Sequence, residues 1–103
     1  MLKQQKISQR QEKSPEFVLC LFITGASPNS VKAISNIQAI CETYLQGRYA
    51  LQIIDVYQEQ KIAMEQQIIA LPMLLKKFPL PERRMIGDLS HTEKVLSALG
   101  LTA

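Results

Sequence analysis

The sequence predicts an α/β domain of element order βαβαββα. Three observations carry this reading: an unbroken apolar run at Phe17–Ile23, a helical apolar repeat opened by a serine and a proline directly after it, and a second apolar run at Tyr49–Val56 beyond a glycine stop. Strand, helix and strand in that order form a right-handed crossover between parallel strands. With 103 residues, 47 % of them apolar and 20 % charged, the chain has the composition of one packed domain.

The elements follow in order. Phe17–Ile23 is apolar throughout and short, which suits a strand covered on both faces. Thr24-Gly25-Ala26 turns the chain, and Ser27 caps a helix whose first position is Pro28, where proline's missing N–H would have no partner anyway. Val31, Ile34, Ile37, Cys41 and Tyr44 recur at helical spacing, widened by Ala33, Ile40 and Leu45, and Gly47 stops the helix. After the strand at Tyr49–Val56, residues Glu59–Ala70 favour a helix with Ile62, Ala63, Gln66 and Ile69 on one face, although the Ile68-Ile69 pair also suits an extended start. Met73–Phe78 and Arg83–Asp88 flank Pro79-Leu80-Pro81-Glu82 and read as a hairpin. Ser90 and Glu93 have the spacing of a capping box, opening a last helix with Val95, Leu96 and Leu99 inward and ending near Gly100.

Charge divides the chain unevenly. Residues 1–15 hold Lys3, Lys6, Arg10 and Lys13 against Glu12, which accounts for the whole net charge of +3. They read as a flexible basic tail ahead of a neutral domain at 16–103. No apolar run approaches the ~20 residues of a membrane span, no secretion signal precedes the domain, and two cysteines do not make a disulfide framework. The expected setting is cytoplasmic, without a membrane partner.

The order βαβαββα, with Pro72 leading into the third strand, is that of a single thioredoxin-like domain. Thiol enzymes of this plan place Cys-x-x-Cys where the first strand meets the first helix, because the helix N-terminus stabilises a thiolate. Here that place reads Ser27-Pro28-Asn29-Ser30, while Cys20 and Cys41 fall on apolar faces as packing residues. One histidine, His91, supplies neither a metal cluster nor a nucleophile's base, and there is no glycine-rich phosphate loop. No cofactor, no metal and no catalysis are expected. Lys76, Lys77, Arg83 and Arg84 lie on the hairpin next to Asp88, a cation cluster that fits an acidic protein surface. Nucleic acid is disfavoured, since Phe78 is the one aromatic nearby.

Three longer stretches then resemble the KaiB family of bacterial clock-associated proteins: Thr24 to Ala33 (Thr-Gly-Ala-Ser-Pro-Asn-Ser-Val-Lys-Ala), Tyr49 to Val56, and Arg83 to Ser90 followed by Glu93-Lys94-Val95-Leu96. The resemblance covers about residues 16–101. It implies a non-enzymatic adaptor that docks on the ATPase ring of KaiC, a hexameric RecA-like ATPase, in a rhythmic process or in stress adaptation. It also implies a metamorphic chain that exchanges a tetrameric ground-state fold, βαββααβ, for the thioredoxin-like form that binds the ring, with a homo-oligomer, dimer or tetramer, among its states. By position it assigns partner binding to Lys32, Lys76, Arg83, Arg84 and Asp88, and the balance between folds to Pro72, Gly87, Ala98 and Gly100. Where clock members carry a lysine before the Ile68-Ile69-Ala70 stretch this chain has Gln67, and where they carry glycine in the last element it has Ala98. Alanine in place of glycine favours a helix by roughly 1 kcal/mol, so the thioredoxin-like state is the expected resting form. The alternative from another class is a thioredoxin-like oxidoreductase or stress-response protein acting through Cys20 or Cys41.

Overall fold

The computed structural model describes residues 15–68 and 70–101. Within them the order is β1 (Phe17–Ile23), α1 (Pro28–Tyr44), β2 (Tyr49–Asp55), α2 (Gln60–Glu65), β3 (Met73–Phe78), β4 (Arg83–Ile86) and α3 (Thr92–Leu99). This is the predicted βαβαββα plan. The expected basic tail lies almost wholly outside the described residues, as does the inward placement of Ile69.

The four strands form one sheet in the order β2-β1-β3-β4, with β1 and β2 parallel and the other pairs antiparallel. As the central strand, β1 has neighbours on both sides and layers on both faces. Phe17, Leu19, Leu21 and Ile23 face one core with Ala33, Ile37, Ile40, Cys41 and Leu45 of the α1 layer, and with Val95 and Leu99 of α3. Cys20 and Phe22 face a smaller core with Ile54, Met73 and Leu75, under the half-buried Ile62, Ile68 and Leu71. Two-sided burial explains why the β1 sequence does not alternate.

Helix α1 begins as its sequence predicts, with the Ser27 hydroxyl accepting from Ser30 N–H at 3.3 Å and Pro28 in the first turn. Its buried face corrects the predicted stripe. Ser30, Ala33, Ile37, Ile40 and Cys41 point inward, while Val31 is 53 % and Tyr44 46 % exposed. Ala33, Ile37, Ile40, Cys41 and Leu45 of the predicted stripe are buried; Val31 and Tyr44 at its edges are not, and Ser30 takes a place inside it. Polar Ser30 takes an inward position because its hydroxyl has partners there, and Val31 is turned out.

Three further expectations are corrected. Helix α2 stops at Glu65 instead of Ala70 and buries no residue; Gln67 has a positive φ of 55°, which no helix continues through. Strand β4 ends at Ile86, short of Asp88, because Gly87 at φ 120° leaves the ladder. The Ser90–Glu93 capping box does not form. Helix α3 starts one residue later, with His91 at the cap position and no side-chain bond to it, while Ser90 N–H donates instead to the Asp88 carboxylate at 3.0 Å. A local turn closed by aspartate has displaced the cap. At its other end α3 stops at Gly100, left-handed at φ 80° as expected.

Candidate partner-binding surface

One end of the sheet gathers the start of α1, the start of β3 and the exit of β4. Met73 lies between Phe22 and Ile86, and Gly87 N–H donates to Pro72 C=O at 2.9 Å, so Pro72 and Gly87 are joined directly behind the first turn of α1. The Leu71–Pro72 bond is cis. Here the Ser27-Pro28-Asn29-Ser30 stretch forms a closed hydroxyl cluster: the Ser27 hydroxyl donates to Ser30 Oγ at 2.8 Å, and Thr24 N–H donates to Ser30 Oγ at 3.1 Å. Ser30 is wholly buried. These groups satisfy one another, and among the hydrogen bonds of the described residues none joins either serine to a base. The cluster caps the helix.

The two thiols are equally quiet. Cys20 lies in the smaller core and burial raises its pKa, against a weaker opposing effect of Lys77. Cys41 lies in the larger core, where burial and then the nearby Glu42 push its pKa up to about 11. At pH 8 about one Cys41 thiol in a thousand would be ionised. We expect Ellman's reagent at pH 8 to leave both thiols unlabelled in the native protein and to label both once denaturant is added. Rapid native labelling of either would reopen thiol chemistry.

Asp88 lies at the same end. Bonds from the Ser90 hydroxyl and backbone N–H, followed by the Lys32 charge, hold its carboxyl below the usual range. Asn36 Nδ2, one turn after Lys32 on α1, donates to Asp88 C=O at 2.8 Å. Lys32 and Asp88 are therefore held on a shared rim between α1 and the β4–α3 loop. Asn36 was not singled out in the sequence; its one signal is the four-residue spacing from Lys32. A cleft of about 160 Å³ opens beside this loop, lined by Asp88, Ser90, His91 and Lys94 among others.

The basic ribbon does not assemble as the hairpin reading predicts. Lys76 opposes Arg83, and Leu75 opposes Arg84. Side chains alternate along a strand, so Lys76 and Arg83 share the face of Leu74, and Arg84 shares the opposite face with Leu75. Lys77, next to Lys76, also takes that opposite face. The four cations thus divide into pairs across the sheet. Nor do they adjoin Asp88, because Arg83 lies at the far end of β4, about 10 Å from Ile86 at strand spacing.

Each cation of this set has its own surroundings. Arg83 is exposed. Lys76 is only 5 % exposed, and burial, reinforced by Arg83, lowers its pKa. No carboxylate pairs with Lys76 among the described residues. Arg84 is exposed overall, yet its Nη1 lies 3.9 Å from Met73 Sδ and its Nη2 donates to Gln66 C=O at 2.8 Å, tying β4 to the end of α2. Lys32 is exposed on α1. Of the four basic residues assigned by resemblance, Lys32 and Arg83 stand free, Arg84 is engaged and Lys76 is covered. Pro72 is buried, Ala98 half-buried within α3, and Gly100 caps that helix.

The described residues hold no group of three metal-ligating side chains, and no helix among them is long and apolar enough to cross a membrane.

A family described as the KaiB domain matches residues 20–101. The chain is similar to the circadian clock oscillator protein KaiB of Synechococcus elongatus, 48 % identical over 85 residues that cover 82 % of this chain and 83 % of the relative. It is similar to the protein of the same name from Thermosynechococcus vestitus, 47 % identical over 85 residues that cover 82 % of this chain and 79 % of the relative. In structure it resembles the N-terminal domain of Synechococcus elongatus SasA, with a TM-score of 0.68 at 19 % identity over 95 % of this chain and 96 % of that one. Mitochondrial thioredoxin 3 of Saccharomyces cerevisiae, in its oxidised form, gives a TM-score of 0.69 at 16 % identity over 86 % of this chain and 82 % of its own. At such identities the two structures bear on the fold alone, which is thioredoxin-like.

Proposed function

The chain belongs to the KaiB family, and from that premise we propose that it acts as a non-enzymatic adaptor, docking on a KaiC-like hexameric ATPase and regulating it in a clock-associated or stress-adaptive process. The observation that carries the reading is the pairing of family membership with a thioredoxin-like fold whose Ser27–Ser30 cluster replaces the thiol pair. A chain of this fold without a nucleophile acts through its surface. The docking surface has two parts, Arg83 on the β3–β4 hairpin and the Lys32–Asp88 rim at the other end of β4, whose side chains are exposed or half-exposed and not tied to another element as Arg84 is. An exposed guanidinium can grip a carboxylate through two parallel bonds, which a buried ammonium cannot do. Arg84 contributes only where a partner draws it from Gln66, and Lys76 supports the ribbon from within.

The test is a titration of a KaiC-like ring with the protein and its Arg83→Ala variant. One charge-assisted bond is worth about 1.5–3 kcal/mol, so the variant should bind roughly tenfold to a hundredfold more weakly. Failure of the unaltered protein to bind the ring in any nucleotide state would remove the adaptor reading; equal affinity of the two proteins would remove Arg83 from the site.

A further inference from the structure

The sheet order β2-β1-β3-β4 leaves β4 bonded on one side only. Which of its backbone groups are free follows from one bond at its exit. Gly87 N–H donates to Pro72 C=O at 2.9 Å, and in a strand the N–H and C=O of one residue point the same way while successive residues alternate. Arg83 and Met85 therefore bond to β3, opposite Lys76 and Leu74. Arg84 and Ile86 direct both groups to the open side. Among the described residues no loop and no side chain bonds to these backbone groups.

Side chains give the two ends of this edge different chemistry. Alternation places Arg84 and Ile86 on the α2 face of the sheet, and Arg83 and Met85 on the α3 face. At the entry of β4, Arg83 and Arg84 set two guanidinium groups side by side. Charges on an edge restrict which strands pair with it, and two arginines select an acidic one. At the exit the edge is apolar. Ile86 is 60 % exposed, and the cleft of about 160 Å³ opens there, with Met85, Ile86, Leu89 and Val95 among its lining residues.

We propose that this edge binds an extended segment of a protein partner, apolar in its first half and acidic in its second, added antiparallel to β4 as a further strand. In that register the partner residues opposite Ile86 and Arg84 exchange backbone bonds with them. The residue opposite Ile86 covers its exposed side chain, and the next, opposite Met85, points to the α3 face and the mouth of the cleft. The two that follow oppose Arg84 and Arg83, so one carboxylate meets a guanidinium on each face of the sheet. Backbone pairing supplies the attachment, and the order of side chains supplies the selection. Ring docking was argued from exposed charged side chains and shares only Arg83 with this site. The contact is narrow, at the low end of specific interfaces, and its dissociation constant belongs on the order of 100 µM.

Fluorescence anisotropy of a labelled Gly-Val-Leu-Glu-Glu-Gly peptide, titrated with the purified protein from about 10 µM to 1 mM, tests this without any ATPase present, so its failure and the failure of ring docking are separate results. Saturable binding is expected. Methylating the backbone nitrogen of the first Glu, which faces Arg84, should weaken binding about tenfold or more, because that N–H is a ladder donor. Methylating the nitrogen of Leu, which opposes Met85 and points away from β4, should leave affinity unchanged. On the protein, Ile86→Pro removes an outward N–H that β3 does not use and should also weaken binding about tenfold or more. Met64→Lys, on the 78 % exposed Met64 of α2, should have no effect. Circular dichroism of each variant confirms that it remains folded. No binding at 1 mM, or equal binding of the two methylated peptides, would overturn the proposal; the second result would mean that charge alone attracts the peptide.

Discussion

Phe22→Ala is expected to destabilise the protein by about 3–5 kcal/mol, the range for a large aromatic deleted from a packed interior. Phe22 is 1 % exposed on the central strand, with Ile54 beside it on β2 and Met73 on β3. Those neighbours are fixed by ladder bonds on both sides and cannot slide into the space the ring leaves. Relief can come only from above, where α2 has six residues and none of them buried. Since a small domain has about 5–15 kcal/mol of stability in all, the variant should lose much of its urea resistance. With a slope near 1 kcal/mol per M, the midpoint should fall by roughly 3 M or more. A fall of a few tenths of a molar would mean that the smaller core is not packed as the structure places it.

The second large effect separates two apolar residues of one helix. Ile37→Ala should cost about 2–5 kcal/mol, and Val31→Ala less than about 0.5 kcal/mol. Ile37 is fully buried against the larger core, whereas Val31 is more than half exposed. Paired chemical denaturation reads both. Similar losses from the two substitutions would return Val31 to the buried stripe that the spacing alone suggests.

That contrast marks how much of the fold was legible. Where hydrophobicity is unambiguous, as in β1, the sequence and the structure agree to the residue at both ends. In α1 the apolar positions are so numerous that the stripe they define is wider than the face the core covers, and Val31 and Tyr44 fall outside it. Ser30 is the missed inward position, a polar residue whose burial depends on bonds to Thr24 and Ser27 that no periodicity reveals. Likewise α2 was overextended because Gln66 and Gln67 favour a helix in isolation, while the chain must turn back there to reach β3.

The arrangement of the candidate surface was not legible in the sequence. Charge singled out Lys76, Lys77, Arg83 and Arg84 beside Asp88, and Lys32 was named by the family resemblance alone. That neighbouring cations on a strand face opposite ways follows from strand geometry alone, but which of them oppose across the hairpin depends on a register set by the Phe78–Arg83 connection. The Asn36 bond to Asp88 joins residues far apart in sequence and has no local signature. The replaced thiol pair, by contrast, could be read directly, because that position is fixed by the junction of a strand and a helix.

Arg84 gives the contact between β4 and α2 a further meaning. One guanidinium nitrogen holds Gln66 C=O at 2.8 Å, and a side chain so committed cannot offer that same proton to a visiting carboxylate. Any ligand that recruits it must first strip the turn after α2 of its donor. Part of the attraction is then spent on loosening that turn, and by reciprocity whatever loosens the turn makes Arg84 easier to capture. Recognition at the hairpin and local order eighteen residues upstream are thus two readings of one equilibrium.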